Sequence, residues 1–178
     1  MILNKKTTLI LLTFLCTLTI SAQRQQKKVY DESINQLEQI EAAVAKANAE
    51  GKYVICQVGG NWCPWCLRFA DFITTDSDIS QLIAANYVYI HVNYNPSKSE
   101  SGEKKVLGEQ ALRRLGNPSR FGYPVLVVLN DKGNVIHTQD SAFLEEGKSY
   151  NKEHVMRFFK CWTPEAVKGG SKNKPVID

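Results

Sequence analysis

At 178 residues the chain has room for one domain plus a leader and a tail. A hydrophobic share of 43% supports a packed core, and 22% charged residues argue against a disordered chain. The net charge of +4 is small and scattered, with Lys5 and Lys6 supplying two of the charges, so no nucleic-acid partner is expected.

The N-terminus reads as an export signal. Lys5 and Lys6 form a positive start, an apolar run follows from Leu9 to Ile20, and Ser21-Ala22 offers small residues for cleavage ahead of Gln23. The run is shorter than the ~20 apolar residues a membrane-spanning helix needs. Cys16 raises a lipid anchor as an alternative, but Leu15 stands where such a signal wants a small residue. The expectation is a cleaved signal over 1–22, a linker over 23–30 and no stable membrane insertion after cleavage. The location is then periplasmic or secreted, where thiols are not kept reduced by the cytosolic pool.

Past the linker, Ile34, Leu37, Ile40, Val44 and Ala47 keep helical spacing, which predicts a helix over Asp31 to Glu50 ended by Gly51. Tyr53 to Val58 is an apolar, β-branched run that suits a strand covered on both faces. Gly59-Gly60-Asn61 breaks it, and a second helix starts at Cys63 and runs through Leu67, Phe69 and Ile73. Asp76 to Ala85 adds a turn or two of helix. From Tyr87 to Tyr94 the residues alternate, with Val88, Ile90 and Val92 on one face and Tyr87, Tyr89 and His91 on the other. The polar-ended segment Asn95 to Ser119 reads as an insertion with a helix carrying Val106, Leu107, Ala111 and Leu115. Val125 to Leu129 is an apolar strand, Asn130 to Asn134 a turn, and Val135-Ile136-His137 a return strand. Asn151 caps a last helix, in which Val155, Phe158, Phe159 and Trp162 share a face. From Thr163 to Asp178 the composition predicts a flexible tail. The order gives an α/β domain over 31–162, a mixed central sheet flanked by helices.

Without the leader, four cysteines remain: Cys56, Cys63, Cys66 and Cys161. The Cys63-Pro64-Trp65-Cys66 pair beside a βαβ pattern is a redox signal. A lone C-x-x-C with no His at ligand spacing argues against zinc, and no metal or other cofactor is expected. Cys56 in the buried strand and Cys161 between Phe158 and Trp162 read as packing residues. His91, His137 and His154 lie far apart in the sequence and suggest neither a metal ligand nor a base. The stretch 103–114, with Lys104, Lys105, Arg113 and Arg114, is most simply a solvated helix face, and a docking surface for an acidic partner is the alternative.

The segment Ala42 to Phe69 (AAVAKANAEGKYVICQVGGNWCPWCLRF) resembles the thioredoxin superfamily, nearest its exported branch with Trp-Cys-x-x-Cys. Phe121-Gly122-Tyr123-Pro124-Val125 and the following Asp131-Lys132-Gly133 resemble the second family landmark. The resemblance spans Asp31 to Trp162, and the Asn95 to Ser119 insertion lengthens the distance between the landmarks. It implies a thioredoxin-like fold with a cis Pro124 facing the cysteine pair and Tyr123 offering its backbone to a bound substrate strand; a plain trans proline starting an edge strand is the other reading of Pro124.

The spacing also makes chemical sense. Two intervening residues bring both sulfurs to the first turn of one helix, where unpaired N–H groups and the helix dipole favour a thiolate on Cys63. Cys63 is then the exposed nucleophile and Cys66 the resolving thiol. Pro64 suits the first turn because it lacks an N–H, and Trp62 and Trp65 form an apolar rim for a partner chain. Two positions depart from the family. Gln57 stands where relatives carry a buried acid that takes the resolving thiol's proton, and Pro64-Trp65 replaces Gly-Pro. The leading proline resembles that of strongly oxidising relatives, but Trp65 carries no charge. The expected function is thiol–disulfide exchange with exported protein substrates and an upstream thiol electron donor, reduction being preferred over oxidation or isomerisation. The alternative is a binding module or metal-handling chaperone without turnover.

Overall fold

A computed structural model describes residues 28–97 and 102–172; the export signal expected over 1–22 lies outside the described residues. In chain order the helices are α1 Gln36–Glu50, α2 Pro64–Thr75, α3 Ser77–Asn86, α4 Gly102–Arg114, α5 Lys152–Cys161 and α6 Pro164–Lys172. The strands are β1 Tyr53–Gly59, β2 Tyr87–Asn93, β3 Val125–Leu129, β4 Val135–Asp140, β5 Glu145–Glu146 and β6 Ser149–Tyr150. The main sheet has the order β2-β1-β3-β4; β1 pairs parallel with β2 and antiparallel with β3, and β3 pairs antiparallel with β4. A separate hairpin joins β5 to β6.

β1 and β3 are buried along their whole length, as their apolar runs require, with Gln57 the one polar interruption in β1. The strand period of two divides β1 between two cores. Tyr53 and Ile55 join Phe69, Ile73, Ile79, Ile83, Phe158 and Phe159 under α2, α3 and α5. Val54, Cys56 and Val58 join Ile40, Ala43, Ala47, Ala111 and Leu115 under α1 and α4. The alternation in β2 sorts the same way, Tyr87 and Tyr89 to the first core and Val88, Ile90 and Val92 to the second. This is a thioredoxin-like fold: a mixed sheet between helices, with α4 inserted before β3.

Several boundaries differ from the periodicity. α1 begins at Gln36, not Asp31, because the Asn35 side chain accepts from the Leu37 and Glu38 N–H groups, and Asp31 closes a turn on the Ser33 N–H. Ile34 is consequently exposed. Val106 is also exposed, and Ala111, Leu112 and Leu115 carry the packing of the insertion. Pro164–Lys172, the described part of the expected tail, forms α6: the Thr163 hydroxyl accepts from the Ala166 N–H at 3.1 Å, Pro164 opens the first turn, Val167 packs on the first core, and Lys168 pairs with Asp131 at 2.9 Å. Cys161, expected to pack, is exposed on the outer side of α5 with Arg157 and Lys160. Residue 30, assigned to the linker, is 1% exposed, because the Tyr30 ring inserts beside the cysteine pair.

Among the described residues no helix is long and apolar enough to cross a membrane. Phe159→Ala, at a fully buried position, is expected to lower unfolding free energy by ~3–5 kcal/mol in urea titration. Phe143→Ala, at a site 75% exposed, should change it by no more than ~0.5 kcal/mol. Equal losses in both variants would contradict this placement of the core.

Candidate redox site

β1 ends at Gly59, the chain turns through Gly60 and Asn61, and α2 starts one residue after Cys63. Cys63 is the N-cap of that helix: its backbone is extended, and its sulfur accepts from the Cys66 N–H at 3.2 Å. Pro64 occupies the first turn, where no intrahelical N–H bond is lost. Cys66, one turn on, is fully buried.

The two sulfurs have opposite electrostatic fates. The Cys66 thiol donates to Cys63, lowering the Cys63 pKa to about 7; partial burial opposes this, and the Cys66 and Trp65 N–H groups add to it. Cys66 is raised, first by that same bond and then by burial and the neighbouring thiolate charge. At neutral pH one sulfur is about half ionised and the other holds its proton.

The second landmark faces this pair. The Tyr123-Pro124 peptide is cis, and the Tyr123 carbonyl accepts from the Cys63 thiol at 3.6 Å. The Cys66 N–H and the Tyr123 carbonyl are both backbone groups, so the strand and helix termini set these two contacts. Trp62 is 45% exposed; its ring meets Tyr123 edge-on at 5.4 Å, and its Nε1–H donates to the Tyr94 carbonyl. Tyr94 stacks on Tyr123 at 5.9 Å, completing an aromatic wall. On the other side Trp65 packs edge-on to Tyr150 at 5.5 Å, and the Tyr150 hydroxyl donates to the Trp65 carbonyl.

The expected site residues Trp62, Cys63, Pro64, Trp65, Cys66, Tyr123 and Pro124 thus lie together about the start of α2. Cys63 is less open than expected: only 5% of its surface is exposed, because Trp65, Leu67 and Tyr123 pack around it. Cys56 belongs to the other face of β1, and burial holds its thiol protonated. The described histidines form no metal cluster with other ligand residues. His91 is half-buried against Tyr30 and Tyr89, and that desolvation lowers its pKa to about 4.

Four contributors, Arg68, Asn61, Tyr30 and Tyr89, were not recognised in the sequence; Gln57 was marked there by its position alone. Arg68 places its guanidinium 4.4 Å over the Trp65 ring, a cation–π contact at the rim of the site. The i,i+3 spacing of the two residues is the signal for that contact. Asn61 binds the leading segment: its Oδ1 accepts from the Val29 and Tyr30 N–H groups, and its Nδ2 donates to the Tyr30 carbonyl and to Glu32. Gln57 is fully buried and fully used, donating through Nε2 to the Tyr30 hydroxyl and the Cys66 carbonyl, and accepting through Oε1 from the Tyr89 hydroxyl. Tyr30 and Tyr89 complete that chain.

Gly59 permits this convergence. A Cβ there would collide with Cys66 Sγ and lie 3.0 Å from the Tyr30 hydroxyl. Gly59→Ala is therefore expected to cost ~1–3 kcal/mol in denaturant unfolding of the reduced protein. An unchanged midpoint would show that the sulfur and the phenol are not packed against this backbone.

The Thioredoxin-like family model matches residues 35–131. A curated relative, the thiol:disulfide interchange protein DsbD of Colwellia psychrerythraea, is 25% identical over 129 residues, which are 72% of this chain and 19% of the relative. The chain thus spans about a fifth of that relative's length. Among solved structures, a disulphide isomerase from Xylella fastidiosa Temecula1 superposes with a TM-score of 0.60 at 24% identity, covering 75% of this chain and 95% of its own. A thioredoxin from Thermus thermophilus superposes with a TM-score of 0.50 at 21% identity, covering 76% and 93%. By these matches, and by a cysteine pair seated at a helix start opposite a cis-proline, the chain belongs to the thioredoxin-like family.

Proposed function

We propose that this chain is a thiol–disulfide oxidoreductase of exported proteins, working in the reducing direction with electrons from an upstream thiol donor. The carrying observation is the asymmetry of the pair: Cys63 capping α2 with a pKa near 7, and Cys66 buried and protonated behind it. The DsbD relative, a thiol:disulfide interchange protein, supports exchange chemistry in general. The Lys5-Lys6 start and the apolar run to Ile20 support export, to a periplasmic or secreted location.

In this reading a partner segment lies against Tyr123 and Pro124, between Trp62 and Trp65, with Pro64 at the rim. The Tyr123 N–H and carbonyl hold its backbone, and the aromatic walls cover its side chains. The Cys63 thiolate attacks one sulfur of the partner's disulfide, breaking the S–S bond and releasing a partner thiolate that takes up a proton. Cys66 then loses its proton and attacks Cys63 Sγ. The mixed disulfide breaks, a Cys63–Cys66 disulfide forms, and the second partner thiol leaves carrying the proton equivalent. The upstream donor returns the pair to the dithiol. The low exposure of Cys63 favours partners that present an extended segment to the site.

Reduction of insulin by dithiothreitol should be accelerated by the parent and not by Cys63→Ser. Cys66→Ser should accumulate a mixed disulfide with its exported partners, separable on non-reducing gels. No acceleration by the parent, with tight stoichiometric binding of Cu(I), would replace this reading with that of a metal-handling module.

A further inference from the structure

The mechanism above leaves the Cys66 proton without a helper. In this chain the position of the family's buried acid is Gln57, and an amide neither takes a proton nor carries charge. The residues around Gln57 supply a different device. Its orientation is set by its neighbours: the Cys66 carbonyl can only accept, so the Gln57 Nε2 faces it at 3.0 Å. The second Nε2 hydrogen goes to the Tyr30 oxygen at 2.6 Å, while the Tyr89 hydroxyl donates to Oε1 at 2.6 Å. The Tyr30 oxygen is therefore an acceptor, and its own hydrogen must find another partner in a site 1% exposed. The group beside it is the Cys66 sulfur, and their interaction raises the phenol's pKa and lowers the thiol's. The two atoms converge on the space above the Gly59 Cα. The four Asn61 bonds to the leading segment hold the tyrosine there.

We propose that Tyr30 is a catalytic residue of the resolving step, donating its phenolic hydrogen bond to Cys66 Sγ as that sulfur sheds its proton and attacks Cys63. The proposal rests on the oxidoreductase reading and adds a residue to it. The phenol keeps its proton throughout; only the Cys66 proton leaves, to be balanced by the departing partner thiolate. Gln57 acts through Tyr30: its donation to the phenolic oxygen fixes which way the hydroxyl hydrogen points. The titratable groups facing Cys66 leave the role clear. Cys63 is consumed in the mixed disulfide, and Tyr30, Tyr89, Tyr123 and Tyr150 are all raised, each chiefly by burial. His91, against the Tyr30 ring at 5.2 Å, is neutral above about pH 4. Over pH 6 to 10, Cys66 is then the group at this site whose ionisation sets the rate of resolution.

The test mixes the reduced full-length protein, with Cys16 and Cys161 replaced by serine, with 5,5′-dithiobis(2-nitrobenzoate) in a stopped-flow instrument. The first release of thionitrobenzoate reports attack by Cys63, and the second, unimolecular release reports resolution by Cys66. In Tyr30→Phe the first phase should be unchanged. The pH midpoint of the second should rise by about one unit or more, slowing resolution about tenfold at pH 7. A midpoint that stays put, whatever the plateau rate, overturns the proposal, because a merely structural loss lowers the rate at every pH. A parent that shows no second phase removes the oxidoreductase reading and the Tyr30 role with it. If Tyr30→Phe does not fold, Cys63→Ala with 13C-labelled tyrosine substitutes for it. There the Tyr30 Cζ shift should follow the ionisation of Cys66, and a flat response overturns the proposal.

Discussion

The site depends on the hydrogen bonds that meet at Cys63 Sγ. One comes from the Cys66 N–H, an orphan donor of the first helical turn, and one from the Cys66 thiol itself. Neither exists unless α2 starts one residue after Cys63, and that start is fixed by where β1 ends and how Gly59 and Gly60 turn the chain. The same strand order that buries β1 places β3 beside it, and so brings the cis Tyr123-Pro124 peptide against the nucleophile. The central strands thus fix the position of the reactive sulfur through their termini, while the helices on both faces supply most of the packing.

Behind the pair, the chain meets a constraint of its own. A resolving thiol must be buried to wait and must ionise to act. Relatives are expected to reconcile these with a carboxylate; here Gln57 pairs with two tyrosines instead. An amide needs no desolvated charge in the core, which avoids the penalty a buried carboxylate brings. It also stays fully bonded, leaving the Gly60 backbone and the Tyr30 hydroxyl as the groups that favour ionisation of the sulfur.

The parts that follow a period or a local motif were legible from the residues alone. The alternation of β2, the apolar runs of β1 and β3, the Asn151 cap and the two landmarks all mark structure through neighbours in sequence. What escaped depends on contacts far along the chain. Tyr30 lies in a polar run with no period and joins the site only because Asn61 grips its backbone. The contact of Arg68 with Trp65 was missed, although their i,i+3 spacing marked it. α6 forms because Val167 and Lys168 find partners on the first core and at Asp131, which the glycines and lysines of its sequence do not reveal. The low exposure of Cys63 likewise arises from Tyr123, a residue of the second landmark.

The central claim is an ionisation difference between two sulfurs one helical turn apart. It is tested most directly by thiolate absorbance at 240 nm, followed as the reduced protein is titrated, with Cys66→Ser and Cys63→Ser as references. One thiolate should appear with a midpoint near pH 7 and be missing in Cys63→Ser, with no second thiolate from the pair until strongly alkaline pH. A first midpoint near ~8.5, the value of a free cysteine, would contradict the account.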